Sequence, residues 1–351
     1  MVEGKHGHLL PHVDKEICTN CGLCKQKCPA NTPVNLQLPQ KTFAAWSKDI
    51  EEYKTSTSGG ASAELAKYFI SKGGIVYGCA FSSNLKVEHI RIERQEDLAL
   101  IKGSKYVQSD IRSAIPQIKK DISAGKDVLF IGSPCQVGAI KRMIPDTNKH
   151  LYLVDLICHG VPSQRMLTDH IRKKVTPDSS TRIYFRNGCE LELSIYSGKD
   201  LIYSSNAYRQ PYRDSYYAAF VEGYSFRSSC YSCPYAGSKR GGDLTIGDFW
   251  GLKDKDDIIP DHPHGCSLIL SMTEKGKELI DGISANMNMY ERALEEAVAG
   301  NSQLRHPSKL TIRKQIYRGL KLYNSPTFIY LLSHLDIIIK QRILDFLNKT
   351  K

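Results

Sequence analysis

The chain has 351 residues, 24% of them charged, and a formal net charge of +11 at pH 7. This composition predicts a packed globular protein, either two domains or one large domain with an appendage, and excludes a disordered chain. No apolar run reaches the roughly 18 residues of a membrane span and no signal core opens the sequence, so we expect a cytoplasmic protein.

Eleven cysteines are the most unusual feature of the composition. Because the cytosol is reducing, this many thiols favours metal ligation over disulfides. The first four lie in CTNCGLCKQKCP at 18–29, and their C-x₂-C-x₂-C-x₃-C-P spacing is typical of a bacterial 4Fe–4S motif. We predict a small ferredoxin-like appendage over residues 1–45, with a zinc knuckle or a vestigial ferredoxin half as alternatives. Its predicted cluster ligands are Cys18, Cys21, Cys24 and Cys28.

The last cysteine of this motif has an uncertain partner. In two-cluster ferredoxins the fourth cysteine binds the other cluster, and this sequence contains no second run of the same spacing. We therefore expect a module without its first half. Either Cys28 returns to its own cluster, or another thiol such as Cys79 completes the site, or the site has only three thiolates.

The middle of the chain alternates predicted strands and helices. The stretch 55–60, TSTSGG, leads into a helix pattern that ends at Gly73 and Gly74, and strands are predicted at 74–81 and 87–93. An apolar strand, a turn and a helix follow at 127–144, and the same order recurs at 150–167. This alternation predicts an α/β fold over residues 50–180, with a central, mostly parallel sheet and flanking helices.

Two further cysteines follow the apolar strands of those units. Loops after the carboxyl ends of parallel strands meet at one edge of the sheet, so Cys135 and Cys158 should face the same crevice. A C-x₂-C pair, Cys230 and Cys233, lies in a glycine-rich stretch. Together they form a second four-thiolate set. The alternative is that the single cysteines are buried as small apolar residues and that the pair binds zinc with other partners.

The remaining sequence predicts an irregular second part of the core over 181–290 and a helical tail over 300–351. Tyrosine-rich segments in 181–222 indicate a small antiparallel insertion, and 265–283 is again strand then helix. The tail favours two amphipathic helices over 312–347, broken near Asn324 to Pro326.

The tail is strongly basic. From Arg305 to Lys351 ten Lys or Arg residues stand against two Asp, a net charge of +8. A solvated helical face explains this charge most simply, and an acidic redox partner or peripheral contact with an anionic membrane are alternatives. No nucleic-acid signature accompanies it, so we expect no nucleic-acid partner.

Three loops have the composition of anion sites. TSTSGG, GSPCQVG and CHGVPS each precede a predicted helix, where free amides and the helix dipole favour phosphate. None matches the G-x-G-x-x-G or P-loop pattern. Such loops beside a cluster suit an organic redox cofactor with a phosphate group. His159 is the one histidine placed to touch it, and a structural role is expected for it over proton transfer.

Several stretches together resemble a known family. SGGASAELAKYFISKGGIVYG, KGSKYVQSDI, FIGSPCQVGAIK, DLICHGVPS and RSSCYSCPYAGSKRGGDLTIGDFWG, in this order between about Ser58 and Glu278, are similar to the coenzyme F420 hydrogenase/dehydrogenase beta-subunit family. The resemblance implies an iron–sulfur flavoprotein with FAD in a central α/β domain, an adjacent 4Fe–4S cluster and an N-terminal ferredoxin module.

Carried onto this sequence, the resemblance implies that the second four-cysteine set binds the core cluster. Three loops, Ser58–Gly60, Gly103–Tyr106 and Ser133–Gln136, become candidate FAD-contacting segments, and the loop that contains His159 and Gly160 is a fourth. The candidate residues are Ser58, Gly59, Gly60, Gly103, Ser104, Lys105, Tyr106, Ser133, Pro134, Gln136, His159 and Gly160. One departure is FRNG at 185–188, where the family would place a lysine after an Arg-Asp pair; this leaves the substrate open.

The leading functional prediction is an oxidoreductase. It would move electrons between one or two 4Fe–4S clusters and FAD, with hydride exchange to coenzyme F420 or another soluble acceptor, and a redox protein or ferredoxin as partner. No catalytic residue is assigned. The alternatives are a non-catalytic electron-transfer subunit of a partner oxidoreductase and a zinc-stapled binding module.

Overall fold

The computed structural model describes residues 1–82, 85–145, 148–210, 213–252, 259–320 and Phe328. The strands are β1 (Val2–Glu3), β2 (Leu9–Leu10), β3 (Lys41–Ser47), β4 (Ile75–Phe81), β5 (Val87–Ile92), β6 (Val128–Gly132), β7 (Leu151–Leu156), β8 (Thr181–Tyr184), β9 (Glu192–Ser197), β10 (Asp200–Asn206), β11 (Leu244–Asp248), β12 (Ser267–Ser271) and β13 (Met287–Glu291). The helices are α1 (Leu23–Gln26), α2 (Ile50–Thr55), α3 (Ala61–Ser71), α4 (Leu98–Ile101), α5 (Ala114–Ser123), α6 (Pro134–Met143), α7 (Gln164–Arg172), α8 (Ser215–Val221), α9 (Glu274–Ile283), α10 (Leu294–Gly300) and α11 (Ile312–Leu320).

An eight-stranded sheet of order β13-β3-β12-β11-β7-β6-β4-β5 forms the centre of the molecule. The four neighbours β11, β7, β6 and β4 pair in parallel. On one side β5 pairs antiparallel with β4, and on the other side β12 pairs antiparallel with β11. β3 is antiparallel to both β12 and β13, so β3 runs in the same direction as the parallel group. The predicted α/β class and its central sheet, with most strands running the same way, are confirmed.

The alternation of side chains along β6 explains why helices cover both faces of the sheet. Leu129 packs with Leu65 of α3 and Leu279 of α9 in one apolar cluster. Its neighbour Phe130 points to the opposite face and packs with Val137 of α6 in another cluster. Because successive strand residues point to opposite faces, a wholly apolar strand needs a cover on each side.

Three strands of this sheet are not predicted by the sequence. β3 includes residues 41–45, which the sequence assigns to the N-terminal segment, β11 lies in the glycine-rich stretch after Cys233, and β13 follows α9. β3 pairs with β12 and β13, which lie more than 200 residues later in the chain. Its sequence, KTFAAWS, lacks a β-branched run, so its conformation depends on these distant partners.

The smaller parts follow the predicted plan. β8, β9 and β10 form the expected antiparallel insertion, and β1 pairs with β2 in a two-stranded ribbon. Helix α11 agrees with the first predicted helix of the tail, whereas the predicted break near Asn324 to Pro326 and the second helix lie outside the described residues. Within the described ranges no helix is both long and apolar enough to cross a bilayer.

A buried ion pair joins the parallel sheet to the loop that carries Cys230 and Cys233. The side chains of Arg240 and Asp155 are 1% and 0% exposed, and Arg240 Nη2 lies 2.6 Å from Asp155 Oδ1. Arg240 also donates to the carbonyl oxygens of Tyr235, at 2.9 Å, and Leu156, at 2.8 Å. The carboxylate accepts from the Thr245 hydroxyl at 2.7 Å, so both charges are compensated.

Asp155→Asn should strongly destabilise the protein. The substitution leaves the Arg240 guanidinium buried without its counter-charge, which typically costs about 3–5 kcal/mol. Urea titration of the far-ultraviolet circular dichroism under anaerobic conditions measures the change. The control is Glu291→Gln, which breaks the exposed pair between Lys41 and Glu291 and should change the free energy of unfolding by less than about 1 kcal/mol. Equal stabilities of the two variants would contradict the prediction.

Candidate functional site

The loops at one edge of the central sheet bring together most of the predicted site residues. β3, β4, β6, β7 and β11 all end at this edge because they run in the same direction. Cys135 follows β6 and Cys158 follows β7, as the sequence predicts. A 3₁₀ turn over Ser228–Ser232 adds Cys230, and Cys233 follows it.

The four thiols of Cys135, Cys158, Cys230 and Cys233 are mutual neighbours. Burial and the other three thiols raise the pKa of Cys158 well above its usual range. Burial and the thiols of Cys135 and Cys233 raise that of Cys230 to about 12. Burial and the thiol of Cys135 also raise the pKa of Cys233. Since every pair within the set interacts, the four thiols lie near one another at this edge of the sheet, and we call this group the four-thiol site. Its binding of one cluster stays a prediction.

The chemistry of the four donors bears on the group that this set could hold. In the described part of the chain no group of three or more His, Cys, Asp or Glu side chains is arranged around one metal ion. Thiolates are the usual ligands of 4Fe–4S clusters and are also common ligands of zinc. The donor chemistry fits a 4Fe–4S cluster, whose assembly would require the four thiols to lose their protons.

The N-terminal motif has the backbone of a ligand loop. Asn20 and Gly22 on either side of Cys21 adopt left-handed φ angles of 55° and 72°, which wrap the chain around this residue. The Leu23 amide and the Thr19 hydroxyl lower the pKa of the Cys21 thiol by stabilising its thiolate. Cys21 and Cys24 are exposed, whereas Cys18 and Cys28 are half-buried.

Cys79, the other thiol proposed for this motif, is on the central sheet. It is on β4, where its thiol interacts with Lys105 and Ser109, and burial raises its pKa. The three arrangements for the N-terminal site, with Cys28, with Cys79 or with three thiolates alone, stay predictions.

The first predicted cofactor loop, Ser58–Gly60, connects α2 to α3. The Ser58 hydroxyl donates to the Cys266 carbonyl at 2.9 Å. A Cβ on Gly59 would lie 2.0 Å from the Ala45 carbonyl oxygen, so only glycine lets the loop approach β3 this closely. Gly60 has a φ of 86° and begins α3 without a side-chain cap. The first amide of the helix, that of Ala61, donates to the Ser267 hydroxyl of β12 at 3.5 Å, so β12 already satisfies one group of the helix start.

The second loop, Gly103–Tyr106, lies against the first one. Lys105 Nζ donates to the carbonyl oxygens of Lys102, at 2.7 Å, and Ile101, at 3.0 Å. Burial lowers the pKa of this amine to about 8. The Tyr106 ring stacks on Phe220 with 4.4 Å between centroids, and the Ser104 hydroxyl contacts its phenol. The loop thus presents a buried cation and an aromatic face.

The polar side chains of the third loop, Ser133–Gln136, form hydrogen bonds at the start of the helix that follows, α6. The Gln136 carboxamide oxygen accepts from the Ser133 amide at 3.0 Å, which forms a capping box at the start of α6, and Pro134 is at its first turn. Gln136 Nε2 also donates to the Ser109 hydroxyl at 2.8 Å. These bonds hold Cys135 at the start of the helix, and they assign a positioning role to the polar side chains of this loop.

His159 and Gly160 connect the cysteine loop to the aromatic residues of α8. His159 Nε2 contacts the Val221 carbonyl oxygen at 3.1 Å, Gln303 contacts Nδ1, and the ring edge meets Phe220. Burial lowers its pKa, in keeping with a neutral ring whose two nitrogens are both engaged. A Cβ on Gly160 would lie 2.5 Å from the Phe226 ring. Both residues serve packing in this structure.

Two functional candidates are not identified by the sequence: Arg186 and Asp248. Arg186 Nη2 donates to the carbonyl oxygens of Thr57 and Cys189, both at 2.7 Å. Its Nη1 donates at 3.1 Å to the Tyr106 hydroxyl and to the Asp248 carboxylate. The guanidinium is 2% exposed, and its Nε has no hydrogen-bond partner among the residues that the structure describes. The signals in the sequence are FRNG, whose arginine carries no assigned role, and the Asp of GDFWG.

Arg186 therefore links the first two cofactor loops to the carboxyl end of β11. Its four acceptors belong to separate segments, and a planar guanidinium with five donors is suited to joining them. The Tyr106–Phe220–His159 contacts continue from this point to the loop of Cys158. The candidate cofactor edge and the four-thiol site are thus neighbouring parts of one crevice.

The comparisons with known proteins agree with this arrangement. Residues 125–297 match the family described as the C terminus of the coenzyme F420 hydrogenase/dehydrogenase beta subunit. Residues 11–34 match the 4Fe-4S binding domain. The second four-cysteine set lies within the first match, and the N-terminal cysteines lie within the second. No match was found among the curated proteins.

A solved structure has a similar fold. It is a chain in the xenon-derivatized F420-reducing [NiFe] hydrogenase complex from Methanosarcina barkeri, with a TM-score of 0.52 and 18% sequence identity. The similarity covers 77% of this chain and 87% of the other. At this identity the likeness concerns the fold.

The predicted resemblance is confirmed by these matches. The chain combines a 4Fe–4S binding motif with a domain of an oxidoreductase-related class. More narrowly, it carries the C-terminal domain of the coenzyme F420 hydrogenase/dehydrogenase beta-subunit family together with a 4Fe–4S binding motif.

Cys230→Ser should remove the cluster at the four-thiol site. Serine is a poor ligand for iron compared with a thiolate, so iron and acid-labile sulfide should fall by about half if each motif holds one cluster. Both are measured on anaerobically reconstituted protein. Cys266→Ser is the matched control, because that buried thiol packs in an apolar cluster of the sheet and belongs to neither predicted ligand set, so its loss should leave the iron content unchanged. Full iron in Cys230→Ser would exclude this residue as a ligand.

Proposed function

We propose that the protein is an iron–sulfur flavoprotein that moves electrons between 4Fe–4S clusters and FAD and exchanges hydride with coenzyme F420 or another soluble acceptor. The N-terminal cysteines would hold one cluster, and Cys135, Cys158, Cys230 and Cys233 would hold the other. FAD supplies the step that converts single electrons into a hydride pair, and the protein binds and orients it. A cytoplasmic location and a redox partner protein belong to the same proposal.

The convergence of two loops on Arg186 is the observation that carries the flavin part. Thr57 precedes Ser58–Gly60, and Tyr106 ends Gly103–Tyr106, and both supply acceptor atoms to the same guanidinium. Gly60 gives the start of α3 no side-chain cap, and the helix dipole at this end favours an anionic group such as a phosphate. Tyr106 and Phe220 provide aromatic surface beside it. An anion site and an aromatic surface next to a four-thiol site match the needs of a flavin nucleotide that receives electrons from a cluster.

Lys105 adds a charge that a flavin could use. Its amine is buried at the edge and interacts with the Cys79 thiol, and no carboxylate is among the groups that shift its pKa. A buried cation stabilises negative charge that develops nearby, because the low dielectric of the interior weakens screening. We therefore assign Lys105 a role in stabilising the reduced, more negative form of the cofactor.

Anaerobic purification tests the proposal as a whole. We expect bound flavin released by denaturation, about eight iron atoms per chain, and bleaching of the visible absorption by dithionite. Oxidised coenzyme F420 and an artificial hydride acceptor, each added to the reduced protein, test the exchange. Protein that holds iron and sulfide but binds no FAD after reconstitution would refute the flavoprotein function.

Arg186→Gln should weaken FAD binding at least about tenfold, which corresponds to about 1.4 kcal/mol. Glutamine cannot join the loops of Thr57 and Tyr106 to Asp248, so the cofactor edge loses its arrangement. Isothermal titration of the flavin-free protein with FAD measures the affinity. The matched control is Arg182→Gln on β8, whose residue is exposed and whose guanidinium donates to the nearby carbonyls of Ser179 and Thr181. Unchanged affinity in a folded Arg186→Gln protein would contradict this role.

An electron-transfer subunit without catalysis is the second candidate. The observation that favours it is the surface around the N-terminal motif, where Ile17 is 79% exposed and Leu23 is 54% exposed beside the exposed Cys21 and Cys24. Apolar side chains around a cluster motif suit contact with a redox partner. Stable co-purification with another oxidoreductase, and iron without flavin, would select this candidate.

A further inference from the structure

Tyr235 touches the segments of both cysteine motifs. It follows Cys233 by two residues, its side chain is 3% exposed, and its hydroxyl donates to the Pro29 carbonyl at 2.9 Å. Pro29 comes directly after Cys28. The buried side chain of Tyr235 therefore connects the chain next to Cys233, the last cysteine of the core set, with the chain next to Cys28, the last cysteine of the N-terminal motif.

Contacts of both its ring and its backbone carbonyl fix the position of Tyr235. A Cβ on Gly138 would lie 2.5 Å from its hydroxyl and 2.8 Å from Cζ, so the ring packs directly against the backbone of α6, one turn after Cys135. The Tyr235 carbonyl oxygen accepts from Arg240, the buried arginine of the sheet, at 2.9 Å. The side chain therefore has one position between the four-thiol site and the N-terminal segment.

The N-terminal segment runs over the same helix. Arg142 of α6 donates from Nε to the Thr32 carbonyl and from Nη2 to the Pro33 carbonyl, both at 2.9 Å. Further along, the Gln37 amide donates to the Arg240 carbonyl at 3.0 Å, and the reverse bond is 2.8 Å. Of these contacts, that of Tyr235 lies nearest to a cysteine of the N-terminal motif. A short segment without its own core depends on such contacts for its position.

From this geometry we infer that Tyr235 is a positioning residue that holds the Cys28 end of the N-terminal motif against the four-thiol site, so that the two clusters exchange electrons within one chain. The inference rests on the proposed function, in which each motif binds a cluster. The exchange transfers one electron from a reduced cluster to an oxidised one, and no bond forms or breaks. The external reductant in the test is dithionite.

The first test measures the position of the segment directly. The amides of Asn31 and Thr32 donate to the Cys28 carbonyl, and that of Gln37 donates to Arg240. Loss of the Tyr235 hydroxyl should increase the hydrogen-exchange rate of these amides by about five- to tenfold, as expected for one lost hydrogen bond. Tyr235→Phe is the test variant, in the reconstituted full-length protein. Tyr231→Phe is the matched control, since it loses a comparable bond to the Gly223 carbonyl in the same cysteine loop.

The second test measures the magnetic interaction between the two clusters. In fully reduced wild type, electron paramagnetic resonance should show magnetic interaction between two clusters, and Tyr235→Leu should weaken that interaction while Tyr231→Phe preserves it. A role limited to stability would leave the interaction unchanged in folded protein. Tyr235→Phe, which retains the ring, should give an intermediate or wild-type spectrum and a faster exchange of the segment amides.

The iron content separates the two ways in which the inference can fail. About eight iron atoms per chain, together with unchanged amide exchange and unchanged magnetic interaction in the Tyr235 variants, would overturn the role of Tyr235 and leave the proposed function standing. About four iron atoms per wild-type chain would overturn the pair of clusters itself and this role with it. If Tyr235→Leu does not fold, the exchange rates of Tyr235→Phe decide the question.

Discussion

The buried ion pair between Arg240 and Asp155 is the interaction on which the rest of the structure depends. Asp155 is near the end of β7, three residues before Cys158, and Arg240 lies beyond the loop of Cys230 and Cys233. A glycine-rich loop has little apolar surface of its own to hold it in place. A buried charge pair with saturated hydrogen bonds allows few alternative arrangements, because any displacement leaves a charge uncompensated. We propose that the fixed placement of the four thiols follows from this constraint.

A second buried arginine plays a comparable part on the other side of the crevice. Arg186 and Arg240 both donate to backbone carbonyl oxygens and to one aspartate at the carboxyl end of a sheet strand. Each joins a loop from outside the central sheet to the sheet edge. Because carbonyl oxygens are present at every residue, such contacts do not require particular side chains in the loops. This explains why loops with little sequence regularity still form a defined crevice.

Much of the architecture is evident from local sequence patterns. Apolar strands followed by helices indicate the parallel centre of the sheet, and the rule that such strands end at one edge places Cys135 and Cys158 in the same crevice. Strand β3 is different, since KTFAAWS forms a strand through pairing with β12 and β13 near the other end of the chain. The same limitation applies to Arg186, because three of its four acceptors, on Thr57, Tyr106 and Asp248, are distant in sequence.

The sequence by itself determined the cysteine spacings, the alternation of strands and helices and the family to which residues 125–297 belong. These features are local, so the chemistry and periodicity of neighbouring residues are enough to specify them. Only the tertiary structure decided that all four core thiols interact, that Arg186 joins the loops of Thr57 and Tyr106 to the end of β11 and that Tyr235 meets Pro29. Those contacts join residues separated by long stretches of chain, and their formation depends on the packing of the whole sheet and its covering helices rather than on any local pattern.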